Sequence, residues 1–177
     1  MIKMQDILTE ITLGAIEPYA TQFVWSDASD GTSIEKPQET KFDADGVKIT
    51  IVMISEDPGQ WSVAILAPTT DGAGVTVAHD RSGAVGRVSY LRLLSTTIEA
   101  LLDFIAIHRP ESIDVTGSDT VDPLKQKQKN RIYRALLRNN NSKFISSGYN
   151  VFDQNGKLWL IHRGVANHRN ADSTGVS

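Results

Sequence analysis

The chain predicts a single α+β domain: a mainly antiparallel sheet packed on one central apolar helix. Three observations carry this expectation. Val47 to Ile54 and Trp61 to Ile65 each alternate apolar and polar side chains about a turn sequence, the pattern of a half-buried hairpin. Leu91, Leu94, Ile98, Leu101, Leu102 and Ile105 form a wide apolar stripe at helical spacing. A short strand, a basic helix and a final hairpin come next, an order that suits strands and helices gathered around one sheet.

Each element has its local reason. Met4, Ile7, Leu8 and Ile11 repeat at i, i+3, i+4, i+7, which predicts a short amphipathic helix stopped by Gly14 and Pro18. Residues 26–40 are rich in Asp, Ser, Gly, Glu and Pro and read as a flexible loop. Ser55-Glu56-Asp57-Pro58-Gly59-Gln60 supplies the turn between the two alternating runs. Val75-Thr76-Val77 predicts a third strand, and Gly83 to Gly86 separate it from the apolar helix. That helix spans Leu91 to Ile107, or starts near Ser95 if Thr96 and Glu99 act as a capping box, and Pro110 ends it. Ser112 to Val115 is a short strand. Asp119 or Asp122 can cap a helix over Leu124 to Arg138, with Pro123 in its first turn. Phe144-Ile145, Gly148 to Phe152 and Leu158 to Ile161 complete the domain near residue 163, the last two joined by an Asn155-Gly156 hairpin turn. Residues 164–177 are small and polar and read as a disordered tail.

Composition narrows the function classes. With no cysteine among 177 residues, disulfides, cysteine-ligated zinc, iron–sulfur clusters and thiol catalysis are excluded. No apolar run approaches the roughly 18 residues of a membrane span, so no membrane role is expected. The opening residues Met1 to Leu8 are broken by charge, unlike a signal peptide, and a soluble intracellular protein is the expectation. A net charge of −3 conceals two unlike parts. Residues 1–123 hold 8 basic and 19 acidic side chains, a net of −11, whereas residues 124–177 hold 10 basic and 2 acidic, a net of +8. Such parts either neutralise each other inside the fold or present opposite faces to partners, copies of the same chain included.

The candidate interaction surface is the basic helix, through Lys125, Lys127, Lys129, Arg131, Arg134 and Arg138, with Leu124, Ile132, Tyr133, Leu136 and Leu137 as its buried side. Cations at that density can neutralise phosphates. Sparse aromatic interleaving and a pI near 5.8 favour a docking face for an acidic protein, or plain solvation, over nucleic acid. The glycine segment Asp80 to Arg87 lacks the spacing of a P-loop or dinucleotide fingerprint and reads as a surface turn. His79, His108, His162 and His168 show no helical metal spacing, and His108 stands near a helix C-terminus that favours positive charge. Asp43, Asp45, Glu56 and Asp57 read as solvated loop charges; Trp61 and Trp159 read as core. No catalytic, metal or cofactor-binding residue is assigned.

Two resemblances arise over these segments. The helix, strand, helix, Gly-aromatic order resembles the second half of the GNAT-like N-acetyltransferase fold, with Asn130-Arg131-Ile132-Tyr133 and Gly148-Tyr149 echoing the family's Asn…Leu-Tyr…Gly-Phe stretch. The family's Gln/Arg-x-x-Gly-x-Gly/Ala loop is not reproduced by Arg81 to Gly86, so this resemblance implies at most a degenerate acyltransferase using acetyl-CoA. A closer resemblance is to an uncharacterised family of small proteins from tailed bacteriophages. It rests on Gln5 to Glu10, Leu94 to Ile98, Phe104-Ile105, Pro110, Ile113, Asn130 to Leu136 and Gly148-Tyr149. It implies a phage protein of the virion or host cytoplasm, non-enzymatic, a virion structural component or accessory factor that works through protein–protein contacts with virion proteins or itself.

Overall fold

Alternating side chains need a partner strand, and the tight turns here dictate which one. Asp45 and Gly46 both take positive φ (53° and 85°), the geometry that joins strands in register through a two-residue turn. They connect β2 (Gln38–Ala44) to β3 (Val47–Asp57). Pro58-Gly59 turns β3 into β4 (Gln60–Ala67), with a register shift between Ser55 and Asp57. The computed structural model describes residues 16–28, 35–68, 75–76, 89–116, 123–154 and 156–165; for 75–76 and 123–130 it describes the backbone alone. The expected helix at Met4–Leu13, the glycine segment at 80–87, the candidate caps Asp119 and Asp122, His79, His168 and the tail beyond residue 165 lie outside these residues.

The fold is α+β, as the patterning predicts. One eight-stranded sheet runs β1 (Ser26–Asp27), β2, β3, β4, β6 (Ser112–Asp114), β8 (Lys157–His162), β7 (Tyr149–Gln154), with β5 (Val75–Thr76) pairing β4 off this path. Every pairing is antiparallel except β4 with β6. The stretch read as a loop at 26–40 begins and ends in strand: Ser26 pairs Glu39 and Asp27 pairs Gln38.

The parallel pair requires a long crossover, and α1 (Tyr90–His108) provides it. Its first turn is capped by Ser89, whose Oγ accepts from the Arg92 amide. The capping box expected at Thr96 and Glu99 is therefore not used. Thr96 Oγ1 instead donates to the Arg92 carbonyl and accepts the Tyr19 amide, tying the N-terminal segment to the helix. Arg109 closes the helix in the left-handed region, its N–H on the Ile105 carbonyl, just before Pro110. Beyond β6 come α2 (Pro123–Asn139) and α3 (Asn141–Ser146), so Phe144-Ile145 belongs to a helix.

The main core lies where α1 crosses the sheet: Phe104, Ile98, Leu101 and Ile105 meet Met53, Trp61, Ile113 and Leu160, with Leu137, Phe144 and Tyr149 from the later elements. Phe104 is fully buried, edge-on to Trp25 and Trp61 at 5.0 and 5.1 Å and stacked on His108 at 4.3 Å. Such aromatic contacts add to the area term. Phe104→Ala is expected to lower the unfolding free energy by about 3–5 kcal/mol, read from urea denaturation.

Gly59 locks the β3–β4 turn to the start of β6. It sits at φ 74°, and a Cβ there would come within 2.8 Å of Glu111 Cγ. Its carbonyl accepts both the Glu111 and Ser112 amides at 2.8 and 3.1 Å. Gly59→Ala imposes left-handed strain of about 1–2 kcal/mol and displaces Glu111. A drop of at least that size in the same denaturation measurement is expected, and an unchanged midpoint would contradict this role.

Candidate interaction surface

Helical periodicity sorts the basic helix into two sides. Ile132, Leu136 and Leu137 are buried, with Tyr133 partly so, while Arg131 and Arg138 are exposed. Arg134 is not free for a partner. Its guanidinium grips Asp153 of β7 with two prongs, Nε to Oδ2 at 2.5 Å and Nη2 to Oδ1 at 3.1 Å. Although strict hydrogen-bond angles leave Nε without an acceptor, the short charge–charge approach and the second prong place it in the ion pair. Of the six candidate residues, Arg131 and Arg138 face solvent and Arg134 serves the fold. The side chains of Lys125, Lys127 and Lys129 lie outside the described residues.

Between α2 and the β7–β8 hairpin lies a pocket of about 180 Å³ lined by Arg134, Arg138, Asn141, Val151, Asp153 and Leu158. The structure adds Lys157 and Arg163 to this end of the sheet, both exposed, with Arg163 donating to the Ile145 carbonyl. Sequence reasoning fixed on the helix and passed over these two, although both belong to the basic stretch after residue 124. Asp153 is the only acid among described residues 131–163, set against Arg131, Arg134, Arg138, Lys143, Lys157 and Arg163.

Among the described residues, a second set of acids lies on the β1–β3 side of the sheet. Strands β1 to β3 and their turns carry Asp27, Glu35, Glu39, Asp43, Asp45, Glu56 and Asp57 against Lys36, Lys41 and Lys48. Asp43 holds the Gly46 amide and Asp45 accepts the Tyr19 hydroxyl, so these two shape the turn as well as charge it. The two ends neutralise each other little. Lys143–Glu99 and Lys157–Asp114 cross between the parts, whereas Lys36–Asp27, Lys41–Glu39, Arg92–Asp45 and Arg134–Asp153 each stay within one.

The sheet face away from α1 is less distinctive. Alternation puts Val52, Ile54, Ala64, Leu66, Trp159, Ile161 and Phe152 there, and Ile54 and Phe152 are each 38% exposed. Thr50, Ser62, Asp114 and Lys157 share that face by register, which breaks up any continuous apolar patch. Trp61 is core, as expected, but Trp159 is only half-buried.

Two tyrosine hydroxyls meet at the interface of α1 and α2. Tyr90 Oη donates to Tyr133 Oη at 3.4 Å, beside Leu94, Ile132 and Ile65 of β4. Burial raises the pKa of both phenols, that of Tyr133 well above its ordinary value. Tyr149, whose hydroxyl donates to the Pro110 carbonyl at 2.5 Å, is likewise pushed up by burial, to about 12. His108 departs from expectation. Despite its place at a helix C-terminus, burial against Phe104 pulls its pKa below the usual imidazole value, outweighing Glu35 and Asp103. Among the described residues no group of three or more His, Asp or Glu side chains is placed to hold a metal ion, and no helix is long and apolar enough to cross a membrane. Comparison with family models, curated proteins and solved structures finds no match.

The buried phenols predict alkaline sensitivity. A phenol with a higher pKa folded than unfolded binds its proton more tightly in the fold. Its stabilisation is intact below about pH 10, the unfolded value, and is lost as pH rises through the folded values. The urea midpoint is expected to fall between pH 10 and the Tyr149 value of about 12, and Tyr133→Phe to make that fall shallower. Equal slopes in the variant and the parent chain would remove Tyr133 from this account.

Proposed function

We propose that this chain is a non-enzymatic bacteriophage protein, a virion component or accessory factor that works through protein–protein contacts. One observation carries the reading: among the described residues, the acids of β1 to β3 and the cations of the last helices and strands stand on opposite sides of β4, with two ion pairs between the acidic and basic parts. Separated charge of this kind guides encounter and fixes orientation between macromolecules. The phage assignment rests on the residue pattern from Gln5 to Tyr149. Arg138 beside a side-chain-sized pocket suits an acidic protein segment, and Asp153 in the same wall disfavours a run of phosphates.

A second reading, a degenerate GNAT-like acyltransferase, is favoured by one feature. β4 and β6 pair in parallel over Gln60–Ser112, Trp61–Ile113 and Ser62–Asp114, then part; Val115 turns to the Leu158 carbonyl of β8. β5 rejoins β4 only at Leu66 and Ala67. Val63, Ala64 and Ile65 thus lack a strand partner on that side among the described residues, and the Tyr90–Tyr133 pair packs near this opening.

Two measurements separate the readings. Mass spectrometry of purified phage particles is expected to find the chain at a fixed copy number, or in complex with a phage or host protein whose binding weakens with salt. Calorimetric titration with millimolar acetyl-CoA is expected to give no binding heat. A saturable heat that Tyr133→Phe diminishes would transfer the assignment to the acyltransferase.

A further inference from the structure

We propose that the basic end of one copy docks against the acidic end of a second copy, so that the chain associates head to tail. This rests on the protein–protein reading above and names the partner. The argument starts from symmetry. A two-fold contact confined to one end sets that end of each copy against itself, which here would bring Arg131, Arg138, Lys157 and Arg163 against one another, or Asp27, Glu56 and Asp57 against one another. Like charges facing each other cost several kcal/mol. A head-to-tail contact sets the basic end against the acidic end instead.

Both ends are available for it. Arg131, Arg138, Glu56, Asp57 and Asp27 are exposed, and among the described residues Asp27 is held by Lys36 and Gln38. The pocket beside Arg138 is large enough to take a carboxylate side chain, and the Arg134–Asp153 pair holds one wall in place. β7 is the last strand at this end and, among the described residues, pairs β8 alone, which leaves an outer edge beside the contact. At the opposite end β1 covers only Gln38 and Glu39 of β2. A head-to-tail contact that uses one end of each copy leaves the other two ends free, so it builds rings or filaments.

The test uses two charge-reversed forms of the full chain: Arg131→Glu with Arg138→Glu, which removes most of the described positive charge of the basic end, and Asp27→Lys with Glu56→Lys and Asp57→Lys, which turns the acidic strands net basic. All five positions are exposed, and unchanged melting temperatures would show that the forms fold. Sedimentation at low salt is expected to show the parent chain growing with concentration and returning to the 19.4 kDa monomer at high salt. Each reversed form alone should associate on the order of tenfold more weakly or worse. An equimolar mixture of the two should associate again, because the unaltered acidic end of one meets the unaltered basic end of the other. A parent chain that stays monomeric at low salt, reversed forms that still self-associate, or a mixture that stays monomeric would each overturn the proposal. A monomeric chain that is nevertheless found in purified particles overturns head-to-tail association alone and leaves the protein–protein reading in place. An associating chain that is absent from particles and binds no other protein keeps head-to-tail association and overturns the assignment as a virion component or accessory factor.

Discussion

Everything after the central helix hangs on three residue pairs. Gln60–Ser112, Trp61–Ile113 and Ser62–Asp114 make the β4–β6 register, the only parallel pairing among the described residues. β8 is laid on β6, and β7 on β8, so the C-terminal hairpin has no other route to the first four strands. A parallel pair this short is weak by itself. It holds because its central rung is core: Trp61 and Ile113 are both buried beneath α1, and Leu160 of β8 continues the row. Alignment of the two halves is therefore set by packing under one helix more than by the number of ladder hydrogen bonds.

That dependence explains the density of tethers around α1. Tyr19 packs on Phe42, lies under the Arg92 guanidinium at 4.0 Å, donates to Asp45, and accepts the Ser89 amide at the helix cap. One side chain thus joins the β2–β3 turn to the start of α1. Trp25 does the same further along, giving its indole N–H to Asp103 while its ring meets Phe104. At the far end, Tyr149 reaches from β7 to the carbonyl of Pro110, the residue that stops the helix. A helix tied at both ends and along its length cannot rotate without opening buried polar bonds, each worth more as a loss than as a gain. The phenols that make these ties are buried as a result, and their raised pKa values arise from the same packing.

Much of this was legible in the residues, and the gaps have physical causes. The apolar stripe of α1 and the Val47–Ile65 hairpin emerge from periodicity because each buries one face against the other. β2 was missed although Asp45-Gly46 is strong hairpin chemistry and Thr40, Phe42 and Ala44 alternate before it; the polar composition of 26–40 outweighed that signal. Of the two starts offered for α1, Leu91 lies one residue from the observed Tyr90, and the one near Ser95 fails because the Thr96 hydroxyl is claimed by Arg92 and Tyr19 in spite of its capping-box spacing to Glu99. The first bond is a local i to i−4 contact, but the Tyr19 amide comes from a distant segment that spacing does not reveal. Arg134 likewise read as one cation in a row, and only the fold brings Asp153 beside it.

The separation of charge is where sequence and topology combine. An asymmetry between the halves of a chain need not survive folding; a sheet whose late strands inserted among the early ones would interleave acids and bases and cancel the field at close range. Here strands β1 to β4 are laid down in order, α1 carries the chain across, and every later strand is added beyond β4. The order of charge along the chain therefore becomes an order of charge across the sheet. Swapping β8 inside β7 strengthens the effect, because it leaves β7 at the margin under α2, with Asp153 already neutralised by Arg134. The β7 margin thus retains only positive charge from the described side chains around it, and the polarity needs no special motif. It is the product of an uneven sequence and a sheet that never doubles back across β4.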